Sequence, residues 1–280
     1  MNQAHNVVFW RDSSMPYIEL RKVADGRRVC YAPHSHNEWS LGLITAGEST
    51  FVYGDELHHV SAGDLILINP DKVHACNPVA GRAWAYLMMY VATDWLAAMR
   101  NRLALQDNSR WHDLGPAVLR NSRLANDYQN LAEVLLDTTP ESEHKQQAVE
   151  SFLSDLMKQS ALASPSDSQA ATAPVAFRRL ANWIDHHANE SISLRDLCTR
   201  SGLSATQVIR GFRLYFHLTP HAYLVNRRIQ QGQRSLRHGA AIADAAQDAG
   251  FADQPHFQRT FKRLLATTPA RYRLAKGRRE

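Results

Sequence analysis

A chain of 280 residues is long enough for two domains, each able to bury its own core. With 44% hydrophobic and 21% charged residues it is ordinary for a globular protein, and no apolar run approaches the roughly 18 residues of a membrane span, so no membrane partner is expected. The net charge of +5 hides an asymmetry: residues 174–280 hold 18 Lys and Arg against 7 Asp and Glu, whereas residues 1–173 hold 14 against 20, which suggests that only the C-terminal part meets a polyanion.

The segment Met1 to Arg11 lacks the basic-then-apolar pattern of a secretory signal. Cys30, Cys76 and Cys198 lie far apart with no CxxC pair, the usage of a reduced, cytoplasmic protein. Residues 1–92 then read as short strands between turn signals. Leu41–Thr45 stops at Ala46-Gly47, Thr50–Tyr53 at Gly54-Asp55, Leu57–Val60 before Gly63-Asp64, and Leu65–Ile68 at Asn69-Pro70; Trp84–Val91 is a further run. Strands this short, about ten residues apart, fit a small sandwich or barrel.

Two histidine-bearing stretches flank the strand run. Pro33-His34-Ser35-His36-Asn37-Glu38 precedes it, and Gly63 to His74 closes it. On an extended segment His34 and His36 project to one face, as metal ligands on a strand would. The pair of stretches resembles the two motifs of the cupin barrel, over about residues 28–92. That resemblance implies a divalent metal at His34, His36 and His74, with Glu38 near the family's carboxylate. The pattern departs in three places: Glu38 comes early, Lys72 stands where glycine is usual, and His74 is one residue early. Regulatory cupins often keep the barrel and lose the metal, so structural histidines or contacts to an organic effector stand as the alternative. Cys76, two residues after His74, reads as a buried thiol or as a redox-sensitive or ligating one.

From Asp94 the period becomes helical. Leu124, Tyr128, Leu131 and Leu135 form one stripe; Phe152, Leu153, Leu156 and Met157 form another. Such helices either pack on the barrel or supply a dimer face. Ala163 to Pro174, small and polar with a proline near each end, reads as a linker. The expected division is 1–162, 163–174 and 175–280.

The remainder reads as all helix. Ser193 and Asp196 form a capping box, Ser201-Gly202 ends that helix, and Ser204 with Gln207 caps the next. Val208 and Phe212 face inward, leaving Thr206, Ile209, Arg210 and Arg213 outward. Helix, glycine turn, helix is the geometry that presents a recognition helix to a major groove. The arrangement repeats: Leu194, Asp196, Gly202 and Leu203 recur as Ile242, Asp244, Gly250 and Phe251 after 48 positions, and Arg210, Phe212, Thr219-Pro220 and Tyr223 recur as Arg259, Phe261, Thr268-Pro269 and Tyr272 after 49. A helix from Pro220 to about Arg237, stopped by His238-Gly239, joins the two units.

These residues, above all Ala245 to Phe251, His256 to Arg263 and Thr268 to Tyr272, resemble the DNA-binding domain of AraC/XylS-type regulators over about 175–275. The resemblance implies two recognition helices about 34 Å apart on one face of the duplex. Arg210 and Arg259 are candidates for bidentate contacts to guanine. Thr206, Gln207, Gln254, His256 and Gln258 are secondary candidates, with Ile209 facing a thymine methyl and Arg213 beside it. Arg227, Arg228, Arg234 and Lys262 read as phosphate contacts or solvated charges.

The expected protein is thus α+β with two domains, a cupin-like β-barrel with following helices and an all-α double helix-turn-helix half. It is expected to be a cytoplasmic regulator, not an enzyme. Its expected partners are double-stranded promoter DNA, a small-molecule effector and a second copy of itself through the N-terminal helices, with RNA polymerase as a further one. Two other readings stand beside this: a metal-dependent cupin enzyme carrying a DNA-binding tail, and a constitutive regulator whose barrel serves only assembly.

Overall fold

The computed structural model of the chain describes residues 7–27, 29–79, 81–106, 110–160 and 173–274; the expected linker lies outside these apart from its last two residues. The N-terminal half begins with antiparallel strands β1 (Val7–Trp10), β2 (Ile18–Val23), β3 (Trp39–Tyr53), β4 (Glu56–Ser61), β5 (Leu65–Ile68), β6 (His74–Pro78) and β7 (Trp84–Val91). Helix α1 (Thr93–Arg102), a short β8 (Val118–Leu119), α2 (Ser122–Leu136) and α3 (Ser142–Ser160) complete it. Seven helices follow: α4 (Val175–His187), α5 (Leu194–Ser201), α6 (Ala205–Phe216), α7 (Pro220–Arg237), α8 (Ile242–Asp248), α9 (Gln254–Leu265) and α10 (Pro269–Leu274).

β3 is the spine of the sheet. Its first part pairs with β5 and β7, its last part with β4 and β6, and β7 continues outward to β2 and β1. Two expected strands, 41–45 and 50–53, are therefore one strand of 15 residues. Ala46-Gly47 is not a turn but a bulge: the register to β7 slips between Ile44 and Ala46, and Gly47 has φ +71. A Cβ at Gly47 would sit 2.1 Å from the carbonyl oxygen of Ala83, so only glycine lets the strand bend there. Strands β1, β2 and β6 carry too little apolar periodicity to have been expected.

Side chains of the sheet divide cleanly between two cores. Leu41, Leu43, Leu65, Leu67, Leu87 and Met89 face the helices α1–α3. Ile44, Ile66, Ile68, Trp84, Tyr86 and Met88 face the barrel lumen. Both faces are buried, which is why β5 and β7 read as unbroken apolar runs rather than alternating ones.

The α2 stripe is consumed by this packing. Leu124, Tyr128, Leu131 and Leu135 are buried in the core shared with the sheet, and the Tyr128 hydroxyl donates to the Leu41 carbonyl at 2.9 Å. The same holds for Phe152, Leu153, Leu156 and Met157 of α3. Of the two readings of these stripes, packing on the barrel is the one realised; a dimer face would need other residues of these helices.

Tyr128→Phe keeps the ring and removes only the bond to Leu41. It should lower the unfolding free energy by about 1 kcal/mol, read as a shift of the urea midpoint with an unchanged slope.

Candidate DNA-binding and effector sites

Both helix-turn-helix units form, the first with a capping box on each of its helices and the second with a side-chain cap on α9 alone. Ser193 accepts from the Asp196 amide while Asp196 reaches back to the Ser193 amide, and Gly202 ends α5 at φ +69. Ser204 and Gln207 make the same reciprocal pair at the start of α6. Asp253 caps α9, with Pro255 in its first turn, where the missing N–H costs nothing. Thr219 caps α7 ahead of Pro220.

The recognition helices anchor through matched aromatics. Phe212 is fully buried in the first unit and Phe257 and Phe261 in the second. This leaves Thr206, Gln207, Arg210 and Arg213 of α6 exposed, and Gln254, His256, Gln258 and Arg259 of α9 likewise. Arg210 and Arg259 occupy corresponding solvent-facing positions. Three of these side chains are constrained by the fold. Ile209 is half-buried rather than fully outward. Gln207 has its side-chain oxygen committed to the Ser204 amide at 2.9 Å, and the His256 ring stacks edge-on against Phe251.

Two of the residues read as phosphate contacts have structural duties instead. Arg227 pairs with Asp71 at 2.7 Å and Asp185 at 2.8 Å, and Arg228 donates to the carbonyls of Ala188 and Glu190. Burial works against the Arg227 charge, but Tyr223, Asp71 and Asp185 outweigh it and raise the guanidinium above its ordinary value. Lys262 is exposed on α9, and Arg234 lines a cleft beside α7.

In the barrel, His34, His36 and His74 do come together. Their ring centroids lie 4.5 to 6.4 Å apart, and a backbone bridge joins His34 to His74. Each ring donates its Nδ1–H to a nearby carbonyl, of Ala32, Glu38 and Lys72 respectively, and the His36 Nε2 accepts from Ser40 Oγ at 3.3 Å. Glu38, the expected carboxylate ligand, points elsewhere: it pairs with Arg237 of α7 at 2.9 Å, which holds its carboxyl below the usual range. Among the described residues no three His, Cys, Asp or Glu side chains are arranged to hold a metal ion, so the divalent-metal expectation has no ligand set to rest on. Burial pushes the His34 imidazole down to about 3 and lowers His36 and His74 as well, so the rings are neutral. Cys76 is buried with its thiol pushed up to about 12, an inert wall of the lumen.

The lumen is walled by Ile44, Ile66, Trp84, Tyr86 and Met88, an apolar and aromatic lining that suits the body of a small organic molecule, with little free space left between the walls. Its mouth is covered by the helical half. Asn226 of α7 donates to the carbonyl and hydroxyl of Ser35, Gln230 donates to the same carbonyl, and the Ala32 amide donates to the Arg263 carbonyl. At the far end of the seam His217, in the left-handed conformation after α6, meets Asp55 of the β3–β4 hairpin. None of this lid was read from the sequence. The one available signal was Glu19 and Arg21, two charges alternating with Ile18 and Leu20 on a strand in which only Lys22 is exposed.

Holding three imidazoles neutral inside the fold makes stability depend on pH. Unfolding returns each to its ordinary value near 6.5, so the stabilisation is complete above that value and is lost as pH falls below it. Each ring contributes up to about 1.4 kcal/mol per pH unit in that window. The urea midpoint should therefore drop between pH 7 and pH 5, and His74→Gln should flatten the drop; equal slopes in the two proteins would show that the His74 ring is not held neutral.

Comparison with known proteins agrees with this architecture. Residues 19–160 match the AraC-like ligand binding domain family, and residues 197–275 match a helix-turn-helix domain family. The HTH-type transcriptional regulator YbfI of Bacillus subtilis is 26% identical over 230 residues, 80% of each chain. SoxS, a regulatory protein of Escherichia coli, is 34% identical over 92 residues, 32% of this chain and 86% of its own. The crystal structure of ToxT from Vibrio cholerae superposes with a TM-score of 0.55 at 12% identity, covering 98% of this chain and 99% of that one, which shows a shared fold. A hollow barrel lidded by a double helix-turn-helix half, with both halves matched in sequence, makes this chain a member of the AraC family of DNA-binding transcription regulators.

Proposed function

We propose that this regulator binds promoter DNA through α6 and α9 and is controlled by a small organic effector held in its barrel. Residues 1–162 form the sensing unit, 163–174 the linker and 175–280 the reading unit. The observation that carries this is the double placement of an exposed arginine, Arg210 and Arg259, at matching positions of two capped recognition helices whose connecting helix is also the barrel's lid. Arginine on such a helix can grip guanine O6 and N7 with two donors. Thr206, Arg213, Gln254 and Gln258 supply neighbouring contacts, with Gln207 and His256 limited by their capping and stacking roles. The half-burial of Ile209 against the exposure of Gln258 supports unequal reading by the two units.

The effector is an organic molecule rather than a metal. ToxT structures, which share this fold, have been described with an unsaturated fatty acid bound and with (E)-4-(8-methylnaphthalen-1-yl)but-3-enoic acid. An enzymatic reading finds no ligand cluster among the described residues, and the matched relatives are transcription regulators. No described helix is long and apolar enough to cross a membrane, which suits work on cytoplasmic DNA. A homodimer would form through the outer faces of α2 and α3, since their inner faces are spent on the barrel.

Arg210→Ala and Arg259→Ala should each weaken binding to the cognate promoter by about 1–3 kcal/mol and relax base preference in one half-site. Equal loss on every sequence would show that these arginines only neutralise phosphate. Titrating promoter DNA with and without candidate metabolites tests control by an effector: an affinity indifferent to all of them would leave a constitutive regulator whose barrel serves assembly alone.

A further inference from the structure

The barrel touches the two helix-turn-helix units at corners that correspond to one another in the repeat. Helices α6 and α9 are each 12 residues long, and each ends on a residue in the left-handed conformation, His217 at φ +51 and Ala266 at φ +49. These two lie 49 positions apart, the offset that also relates Arg210 to Arg259 and Thr219-Pro220 to Thr268-Pro269. Neither is glycine, so each corner bears the cost of a backbone that L side chains seldom adopt and is kept in place by what surrounds it.

At the first corner the His217 Nδ1–H donates to Asp55 of the β3–β4 hairpin at 3.0 Å, and the ring lies over Gly54, where a Cβ would sit 3.6 Å from its Nε2. The Gly54 amide donates to the Val73 carbonyl at 2.8 Å, and the Val73 side chain packs into the core of the first unit together with Leu218. At the second corner the Ala32 amide donates to the Arg263 carbonyl at 3.1 Å and Arg21 to the Leu265 carbonyl at 2.8 Å. Ala266 packs on the inner core of the barrel, while Phe9 and Ala32 pack into the core of the second unit. Each recognition helix is therefore gripped at its C-terminal end. Its reading side chains lie in its first two turns, Thr206 and Arg210 on α6 and Gln254, Gln258 and Arg259 on α9, and all stay exposed with the barrel in place.

The two grips belong to one rigid body. Arg21 is on β2, which pairs with β7; β7 pairs with β3, and β3 runs on into the hairpin that carries Asp55. One extra base pair between two half-sites shifts the second by about 3.4 Å along the duplex and turns it by roughly 35°. Joined by α7 alone, the two units could follow by swinging about the ends of that helix. Held to the sheet at both corners, they cannot, because a shift of that size exceeds the reach of a hydrogen bond and one corner has to open.

We infer that the barrel is a caliper on the two readers: Asp55 and Val73 at one corner, and Arg21 and Ala32 at the other, fix the half-site spacing that the regulator accepts. This rests on α6 and α9 being the readers, as proposed above, and adds a determinant of DNA specificity that lies outside the reading helices. The docked chain accepts one spacing. Neighbouring spacings are bound only by the fraction of molecules with a corner open, and their apparent affinity is scaled down by that fraction.

The test uses the full chain and an operator selected from a random DNA pool. Arg210→Ala and Arg259→Ala mark out the two segments that the readers contact, and one base pair is then inserted or removed midway between them. Wild-type affinity for either altered spacing should fall about tenfold or more. His217→Gly keeps the left-handed corner and removes the ring; Val73→Ala thins the packing at the same corner. Each should raise affinity for the altered spacings about three- to tenfold and move affinity for the selected spacing less than about twofold. Thermal midpoints report whether the variants fold, and Asp55→Ala, on the exposed hairpin, takes the place of Val73→Ala if that variant does not. An unchanged spacing penalty in every variant, or equal loss on all three spacings, would overturn the caliper. Tighter binding at all three would overturn it too, by showing that docking holds the readers off DNA. If the two arginine variants mark out no separate segments, the reader assignment falls and the caliper with it; once the segments are marked, the other outcomes bear on the caliper alone.

Discussion

Helix α7 lies across the mouth of the barrel and carries much of the contact between the two halves. The contact is polar and buried. Asn226 and Gln230 are 3% and 6% exposed, and an unpaired amide at such depth would cost about 1–3 kcal/mol. Both find the backbone or hydroxyl of Ser35, so the helix has one position in which its amides are satisfied. Ion pairs from Arg227 to Asp71 near its middle and from Arg237 to Glu38 at its C-terminal end hold it further. The same helix separates the two recognition helices, spanning 18 residues or roughly 27 Å at 1.5 Å per residue. The barrel thus holds the very element that sets the distance between the two readers.

The sheet can serve as both a wall and a vessel because its two faces are buried by different things. Helices α1–α3 seal the outer face with leucine and methionine, and the inner face is left to line a hollow with aromatic rings. The three histidines at the mouth belong to that lining. Their Nδ1 hydrogens are spent on neighbouring carbonyls, and burial keeps them uncharged, so they stiffen the entrance without adding charge to it. The charged groups sit one layer further out, where Glu19, Arg21 and Glu38 of the barrel meet Arg237 and the rest of the helical half.

The helical half was largely legible in the sequence because its determinants are local. Ser193 with Asp196, Gly202, Ser204 with Gln207 and Thr219-Pro220 act within a few residues of themselves, and a repeat of 48 to 49 residues displayed them twice. Arg210 and Arg259 could be placed on the outward face by their distance from Phe212 and Phe261. The barrel was legible only in class. Gly47 reads as a turn until the carbonyl of Ala83 is beside it, and that partner is 36 positions away. His34, His36 and His74 were rightly grouped, yet Glu38 answers to Arg237, a residue 199 positions distant. Arg227 and Arg228 read as phosphate contacts or solvated charges because nothing local shows that Asp71, Asp185 and the end of α4 occupy them. Long-range pairing between domains leaves no periodic trace in either partner.

The covalent link between α3 and α4 gives this seam a further property. Two surfaces joined within one chain face each other at an effective concentration on the order of millimolar. An interface that would hold separate domains together only at about 0.1 mM is then closed roughly ten times more often than open. For an interface of that strength, a tenfold change in affinity decides between docked and open, and a tenfold change lies within reach of a small molecule's few contacts or of a single altered side chain on either side.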